Sequence, residues 1–232
     1  MNEPPSPVTF PIAVLLSGQG RTLANLIAHR ERGELPVRIS CVIGSKPGIG
    51  GLQIAADAGI PRHVVARRGY ADATAFSAAV WETIAPYDVR LVVHAGFLHK
   101  LLVPPMWEGR VLNIHPSLLP AFGGKGMYGG HVHAAVLAHG CKVTGCTVHI
   151  CDDAYDAGPI VAQRCVPVRD DDTADTLAGR VFAAECVLYP AVIRAFAEGR
   201  IQQTGRRVTM IGIGIGVGAG GTTVCRAAQS EE

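Results

Sequence analysis

Asn113 and His115 stand two residues apart in the run Asn113-Ile114-His115-Pro116-Ser117-Leu118-Leu119-Pro120, directly after the apolar pair Val111-Leu112. In an extended chain residues i and i+2 point the same way, so an amide and an imidazole emerge on one side before proline ends the strand. There Asn113 can hydrogen-bond a developing oxyanion while His115 handles a proton beside it. A strand end whose two polar residues satisfy local backbone groups is the plainer reading of the same pair.

A second stretch, Gly18-Gln19-Gly20-Arg21-Thr22, separates an apolar run at 12–16 from Leu23, Leu26 and Ile27 at helical offsets. Its backbone N–H groups and the following helix N-terminus form a site for a phosphate, although any strand-to-helix turn also needs glycine. A dinucleotide fingerprint would need glycine where Leu23 stands and an acid near Ile43-Gly44-Ser45; both are missing. A Walker-type loop fails as well, because Gly124-Lys125 is followed by Gly126. Asp156, shortly before Gly158-Pro159, is either a turn former or a functional carboxylate.

The elements that must carry these residues follow from periodicity. Apolar runs at 12–16, 37–43, 62–66, 90–95 and 110–115 alternate with helical patterns at 23–27, 51–58 and 71–84. That alternation predicts an α/β fold with a mostly parallel sheet flanked by helices. Residues 116–130 are a proline- and glycine-rich loop, in which Lys125 and Tyr128 sit on a segment, 122–130, expected to act as a mobile cover. A helix at 131–138, strands at 142–150 and 160–167, and a long amphipathic helix at 173–199 give a mixed C-terminal half. In open sheets of this kind ligands sit outside the carboxyl ends of the strands, where Gly18, Phe97 and His115 fall.

At 232 residues, 48% hydrophobic and 17% charged, the chain can bury one substantial core, and a single catalytic domain over 11–207 is the expected count. A net charge of +2 without a basic stripe argues against nucleic-acid partners. Residues 1–10 read as a flexible leader and not a secretory signal, and 208–232 as a glycine-rich tail, either loosely ordered or a strand added to a neighbour, and too glycine-rich for a membrane span. Seven cysteines, an odd number without Cys-x-x-Cys spacing, fit reduced thiols in the cytoplasm. Cys141, Cys146, Cys151 and His149 cluster in sequence, but their offsets put Cys146 on the opposite strand face from Cys141 and Cys151, so they would not converge without a turn and no metal is expected there.

Taken together, Ser17-Gly18-Gln19-Gly20, Ala95-Gly96-Phe97, the block from Asn113 to Pro120, Gly145-Cys146-Thr147-Val148-His149 and Asp156-Ala157-Gly158-Pro159 resemble the folate-dependent glycinamide ribonucleotide formyltransferases of purine biosynthesis. The resemblance runs in the family's order across residues 10–203 and implies a Rossmann-like formyltransferase fold. It implies transfer of the formyl group of 10-formyltetrahydrofolate to the amine of glycinamide ribonucleotide, with Asn113, His115 and Asp156 catalytic and Asp156 favouring the imidazolium of His115. It assigns the substrate phosphate to Gly18, Gln19, Gly20, Arg21 and Thr22, the ribose hydroxyls to Glu185, and the folate to Phe97, Leu98, His99 and Asn113. Arg21 and Thr22 stand where relatives commonly carry Ser-Asn, and His99 where an arginine is often found. Small molecules are the implied partners, with no metal, no nucleic acid and no membrane, for a monomer or homodimer. Formyltetrahydrofolate deformylase, methionyl-tRNA formyltransferase and a non-catalytic folate-binding module are the rival readings, the second lacking its usual RNA-binding domain here.

Overall fold

The computed structural model describes residues 9–212. The chain divides after His99 into two compact units. In the first, β1 (Phe10–Leu16), β2 (Val37–Gly44), β3 (Arg62–Val64) and β4 (Leu91–His94) alternate with α1 (Arg21–Glu31), α2 (Gly50–Asp57) and α3 (Ala73–Ile84). β1 pairs in parallel with β2 on one side and β4 on the other, and β3 adds in parallel to β2. Residues 12–16 are wholly buried, the continuous apolar reading of a strand covered on both faces. Phe76, Val80 and Ile84 line the buried stripe of α3, whose first turn is capped by Asp72 accepting from the Ala75 N–H at 2.8 Å.

The second unit holds β5 (Val111–His115), α4 (Gly130–Ala138), β6 (Val143–Ile150), β7 (Ile160–Pro167), α5 (Ala174–Ala197) and a hairpin, β8 (Ile201–Thr204) with β9 (Arg207–Met210). β5, β6 and β7 pair antiparallel in that order, and with the parallel order β3-β2-β1-β4 of the first unit they make the expected α/β architecture, mostly parallel with a mixed C-terminal side. α5 starts on a capping box between Thr173 and Thr176 and buries Leu177, Val181, Ala184, Leu188 and Val192. Among the described residues it is also the one helix long and apolar enough to cross a bilayer. Its buried stripe, which packs on β6, β7 and α4, is the pattern of a core helix.

The hairpin departs from the sequence expectation. Val208, Thr209 and Met210, placed at the start of the tail, are paired in β9. Gln202, Gln203 and Thr204 of β8 are all exposed, so the strand has no apolar-polar alternation to announce it. The leader up to residue 8 and the glycine-alternating stretch from 213 onward lie outside the described residues.

Candidate active site

β5 delivers Asn113 and His115 as the alternation of a strand requires, and the antiparallel register sets His149 of β6 directly opposite Asn113. The Asn113 Nδ2 lies 3.1 Å from His149 Nε2 and 3.4 Å from Asp156 Oδ1. Asp156 arrives from the loop between β6 and β7, its Oδ2 3.5 Å from His115 Nδ1 and its Oδ1 3.6 Å from His149 Nε2. The loop can bring it back because Gly158 lies flat on β6, where a Cβ would come within 1.8 Å of the Ile150 carbonyl oxygen. Thus the three residues expected to be catalytic meet, and His149, read from sequence as structural or a supporting partner, joins them.

Hydrogen-bond complementarity fixes the protons. The Phe122 carbonyl oxygen, 2.8 Å from His115 Nε2, can only accept, so Nε2 carries the proton and the lone pair of a neutral ring sits on Nδ1, facing Asp156. By the same argument His149 Nδ1 donates to the Ile150 carbonyl at 3.2 Å, and its Nε2 accepts from the Asn113 amide. Burial pushes the His115 pKa down; the Asp156 charge and the Phe122 carbonyl pull the other way without restoring it, and His149 adds to the depression. The expectation that Asp156 favours the imidazolium therefore holds for its own influence and is overridden by burial, since only 3% of His115 is exposed. Asp156 is pushed up by burial, but the His149 contact, the His115 charge and the Gly124 N–H, at 3.0 Å from Oδ2, hold it below the usual carboxylate value. The resting state pairs a neutral imidazole with a carboxylate.

The start of the following loop is fixed by two residues that carried no sequence signal. Thr147 Oγ1 accepts from the Leu119 N–H and donates to the Ser117 carbonyl, while Gln163 Nε2 donates to both the Leu119 carbonyl and Thr147 Oγ1. That network ends where Phe122 and Gly124 touch His115 and Asp156, so residues 122–124 of the expected cover are docked on the site. Tyr128 further along is half-exposed, its ring 5.2 Å from that of His131. His133 of α4 is buried with Nδ1 unpartnered among the described residues, its pKa lowered by burial and then by His115. A polar residue inside an apolar helix was the available signal for it.

In the first unit, Gly20 ends the turn as the N-cap of α1 with φ +79°, so Arg21 and Thr22 occupy the first helical turn. The Gly51 N–H of α2 donates to the Gly18 carbonyl at 3.2 Å, which brings the N-termini of both helices to this turn. A Cβ on Gly20 would stand 2.5 Å from the Gly51 Cα and one on Gly50 2.5 Å from Gln19 Oε1, whereas Gly18 has open space around it. Gly20→Ala is expected to destabilise the fold by at least about 1–2 kcal/mol from the left-handed backbone alone, and Gly18→Ala to leave stability near wild type. Thermal unfolding of the two variants checks this; equal midpoints would mean the close approach is not needed.

Phe97 is buried and stacked on Phe76 at 6.0 Å, with His94 and His99 around it. The Leu98 N–H is taken by Ser17 Oγ at 3.1 Å, and Ser17 in turn accepts from Ser45. The Leu98 side chain is half-exposed. Burial, then Arg67 and Lys46, lower the His99 pKa, so it does not replace the cation of an arginine. Glu185 sits half-buried on α5, close enough to Cys146 for its charge to add to the rise that burial gives that thiol, and is not among the contacts of Asn113, His115 and Asp156 described above. Among the described residues no group of three or more His, Cys, Asp or Glu is arranged to hold a metal ion.

The sequence signature of the formyl transferase family matches residues 11–193. The chain is 36% identical over 194 residues to the phosphoribosylglycinamide formyltransferase of Haemophilus influenzae, a match covering 82% of this chain and 89% of that protein. It is 41% identical over 193 residues to the trifunctional purine biosynthetic protein adenosine-3 of Gallus gallus, where 82% of this chain matches 19% of the relative. The chain thus spans about a fifth of the length of such trifunctional relatives. The crystal structure of glycinamide ribonucleotide transformylase 1 from Symbiobacterium toebii matches with a TM-score of 0.81 at 40% identity, over 87% of this chain and 94% of that one. A formyltetrahydrofolate deformylase from Pseudomonas syringae pv. tomato, 24% identical with a TM-score of 0.76 over 87% of this chain and 66% of that one, shares the fold. With the signature extending from β1 into α5 and enclosing every residue of the Asn113, His115, His149 and Asp156 cluster, the chain belongs to the formyl transferase family.

Proposed function

We propose that this protein transfers the formyl group of 10-formyltetrahydrofolate to the amine of N1-(5-phosphoribosyl)glycinamide, a step of purine biosynthesis leading to IMP, in the cytoplasm. The observation that carries this reading is the convergence of Asn113, His115 and Asp156 inside a formyl transferase fold. The amine lone pair forms the new C–N bond to the formyl carbon while the carbonyl π pair moves onto oxygen. Asn113 has two N–H groups; the one 3.4 Å from Asp156 makes the longer contact and is the one available to the oxyanion. The attacking nitrogen gives up a proton to the Nδ1 lone pair of His115, directly or through one water. That proton converts a neutral ring beside a carboxylate into an ion pair, so Asp156 stabilises His115 only once it is charged. Collapse of the tetrahedral centre re-forms the carbonyl and breaks the bond to the folate nitrogen, which takes up the proton held by His115.

The N-termini of α1 and α2 at Gly18, Gln19 and Gly20, with Arg21 and Thr22, suit the substrate phosphate, and the exposed Leu98 beside Phe97 and His99 suits the folate. Glu185 remains the candidate for the ribose hydroxyls, on the family resemblance alone. The deciding experiment follows loss of the formyl group from 10-formyltetrahydrofolate with and without the ribonucleotide amine. Formylated amine should appear in step with folate release, and little formate without amine. Formate release at the same rate with or without amine would make the protein a deformylase; no consumption of the donor under either condition would leave a binding module.

A further inference from the structure

We propose that Arg206, at the turn of the β8–β9 hairpin, is a positioning residue that holds the Asp156 loop in its working conformation. The inference rests on the role of Asp156 proposed above. Arg206 Nη2 donates to the Ala157 carbonyl oxygen at 2.5 Å, across 49 residues of sequence. Asp156 itself sits at φ +52°, in the left-handed region that an L residue leaves unless its surroundings hold it there. Besides its contacts with Asn113, His115 and His149, three features hold it. The Gly124 N–H fixes the carboxylate, Gly158 is wedged beneath the Ile150 carbonyl, and Arg206 fixes the peptide between them. On the other side of Asp156 the loop is exposed from Asp152 to Tyr155, where the Asp152 side chain merely accepts from the Ala154 N–H within the same turn.

The hairpin is placed for this task. β9 packs against β7, the strand the loop feeds, and Gly205 at φ +58° turns the chain so that Arg206 faces the loop's last bend. A guanidinium on a carbonyl is a charge-assisted contact, stronger than a neutral one and directional. Without it the Ala157 carbonyl loses its charged donor, which loosens the peptide next to Asp156 and with it the placement of the carboxylate, now 3.5 Å from His115 Nδ1. Among the described residues, the other titratable groups that interact electrostatically with His115 are His149 on β6 and His133 on α4.

The test compares Arg206→Ala, Arg206→Lys, Arg207→Ala and Asp156→Asn in the full chain. Misplacing a catalytic group from a distance slows the chemical step, so Arg206→Ala should lower kcat about tenfold and leave both KM values within about twofold. Its acid limb in the pH–rate profile should move to lower pH, because His115 loses part of the carboxylate's support. Arg206→Lys, which keeps a cation and a donor, should recover part of the loss, and Arg207→Ala, one residue along, should behave as wild type. An unchanged kcat and pH profile for Arg206→Ala, with Asp156→Asn strongly impaired, would overturn the positioning role and leave the catalytic reading standing. An unimpaired Asp156→Asn would instead remove the catalytic reading. Equal losses in Arg206→Ala and Arg207→Ala would mark a general hairpin defect and also overturn the inference.

Discussion

Asn113→Ala and His115→Ala are each expected to reduce kcat for formyl transfer about 100- to 1000-fold, with the KM for the ribonucleotide amine little changed. Both side chains act on charge that develops during reaction, so their loss falls on the transition state and not on ground-state binding. Each removal also leaves a partner behind. Without Asn113, His149 Nε2 loses its donor, and without His115 the Phe122 carbonyl does. A thermal midpoint measured beside the kinetics separates this cost, about 1–3 kcal/mol for an unsatisfied buried group, from the catalytic one. A stably folded variant that turns over within about threefold of wild type, where loss of an oxyanion donor or general base should cost 100-fold or more, would end the assignment of that residue.

The sequence carried the parts of this site that depend on local geometry. Period-two alternation was enough to place Asn113 and His115 on one side of β5, and Gly158-Pro159 was enough to put Asp156 on a loop between strands, whereas its place beside His115 came only from the family resemblance. What it could not carry was register across strands. His149 faces Asn113 because β6 runs antiparallel to β5 with a particular offset, and no property of Thr147-Val148-His149 alone fixes that offset. Thr147 and Gln163 were silent for the same reason, since their hydrogen bonds reach a loop 28 to 44 residues away. The sign of the His115 shift was also out of reach: a neighbouring carboxylate was foreseeable, but the depth of burial that outweighs it is a property of packing. Gly20 shows the converse: its place in a strand-to-helix turn was legible, but the approach of α2 that also demands glycine there was not.

Asp156→Asn should lower kcat about 100- to 10,000-fold while keeping the loop intact, because asparagine tolerates the left-handed backbone and still accepts from the Gly124 N–H. The substitution removes the charge and turns the oxygen that faces Asn113 into an amide donor. In the wild type, burial sets the folded His115 pKa below the ordinary value of about 6.5, and Asp156 partly opposes that shift. His115 is therefore a neutral base at pH 7, and activity should fall as pH drops through its depressed pKa. Loss of the carboxylate lowers that pKa further, so the residual activity of Asp156→Asn should persist to lower pH than wild type does. Stability follows the same linkage. As pH falls below about 6.5 the unfolded chain binds a proton that folded His115 still refuses, so this histidine makes folding less favourable until its own pKa is reached. In Asp156→Asn that window extends further down, and the thermal midpoint should decline over a wider acid range. Asp156 adds a separate contribution in the wild type, present above its unfolded value of about 3.9 and lost as pH falls through its depressed folded pKa. Kinetic profiles and unfolding midpoints between pH 8 and pH 5, a range chosen about the ordinary histidine value, leave out the Asp156 contribution, and the difference between wild type and Asp156→Asn separates His115 from the other buried histidines such as His133. An acid limb that moves to higher pH in Asp156→Asn would mean that the carboxylate opposes rather than supports the charged ring, and the proposed proton path would fail.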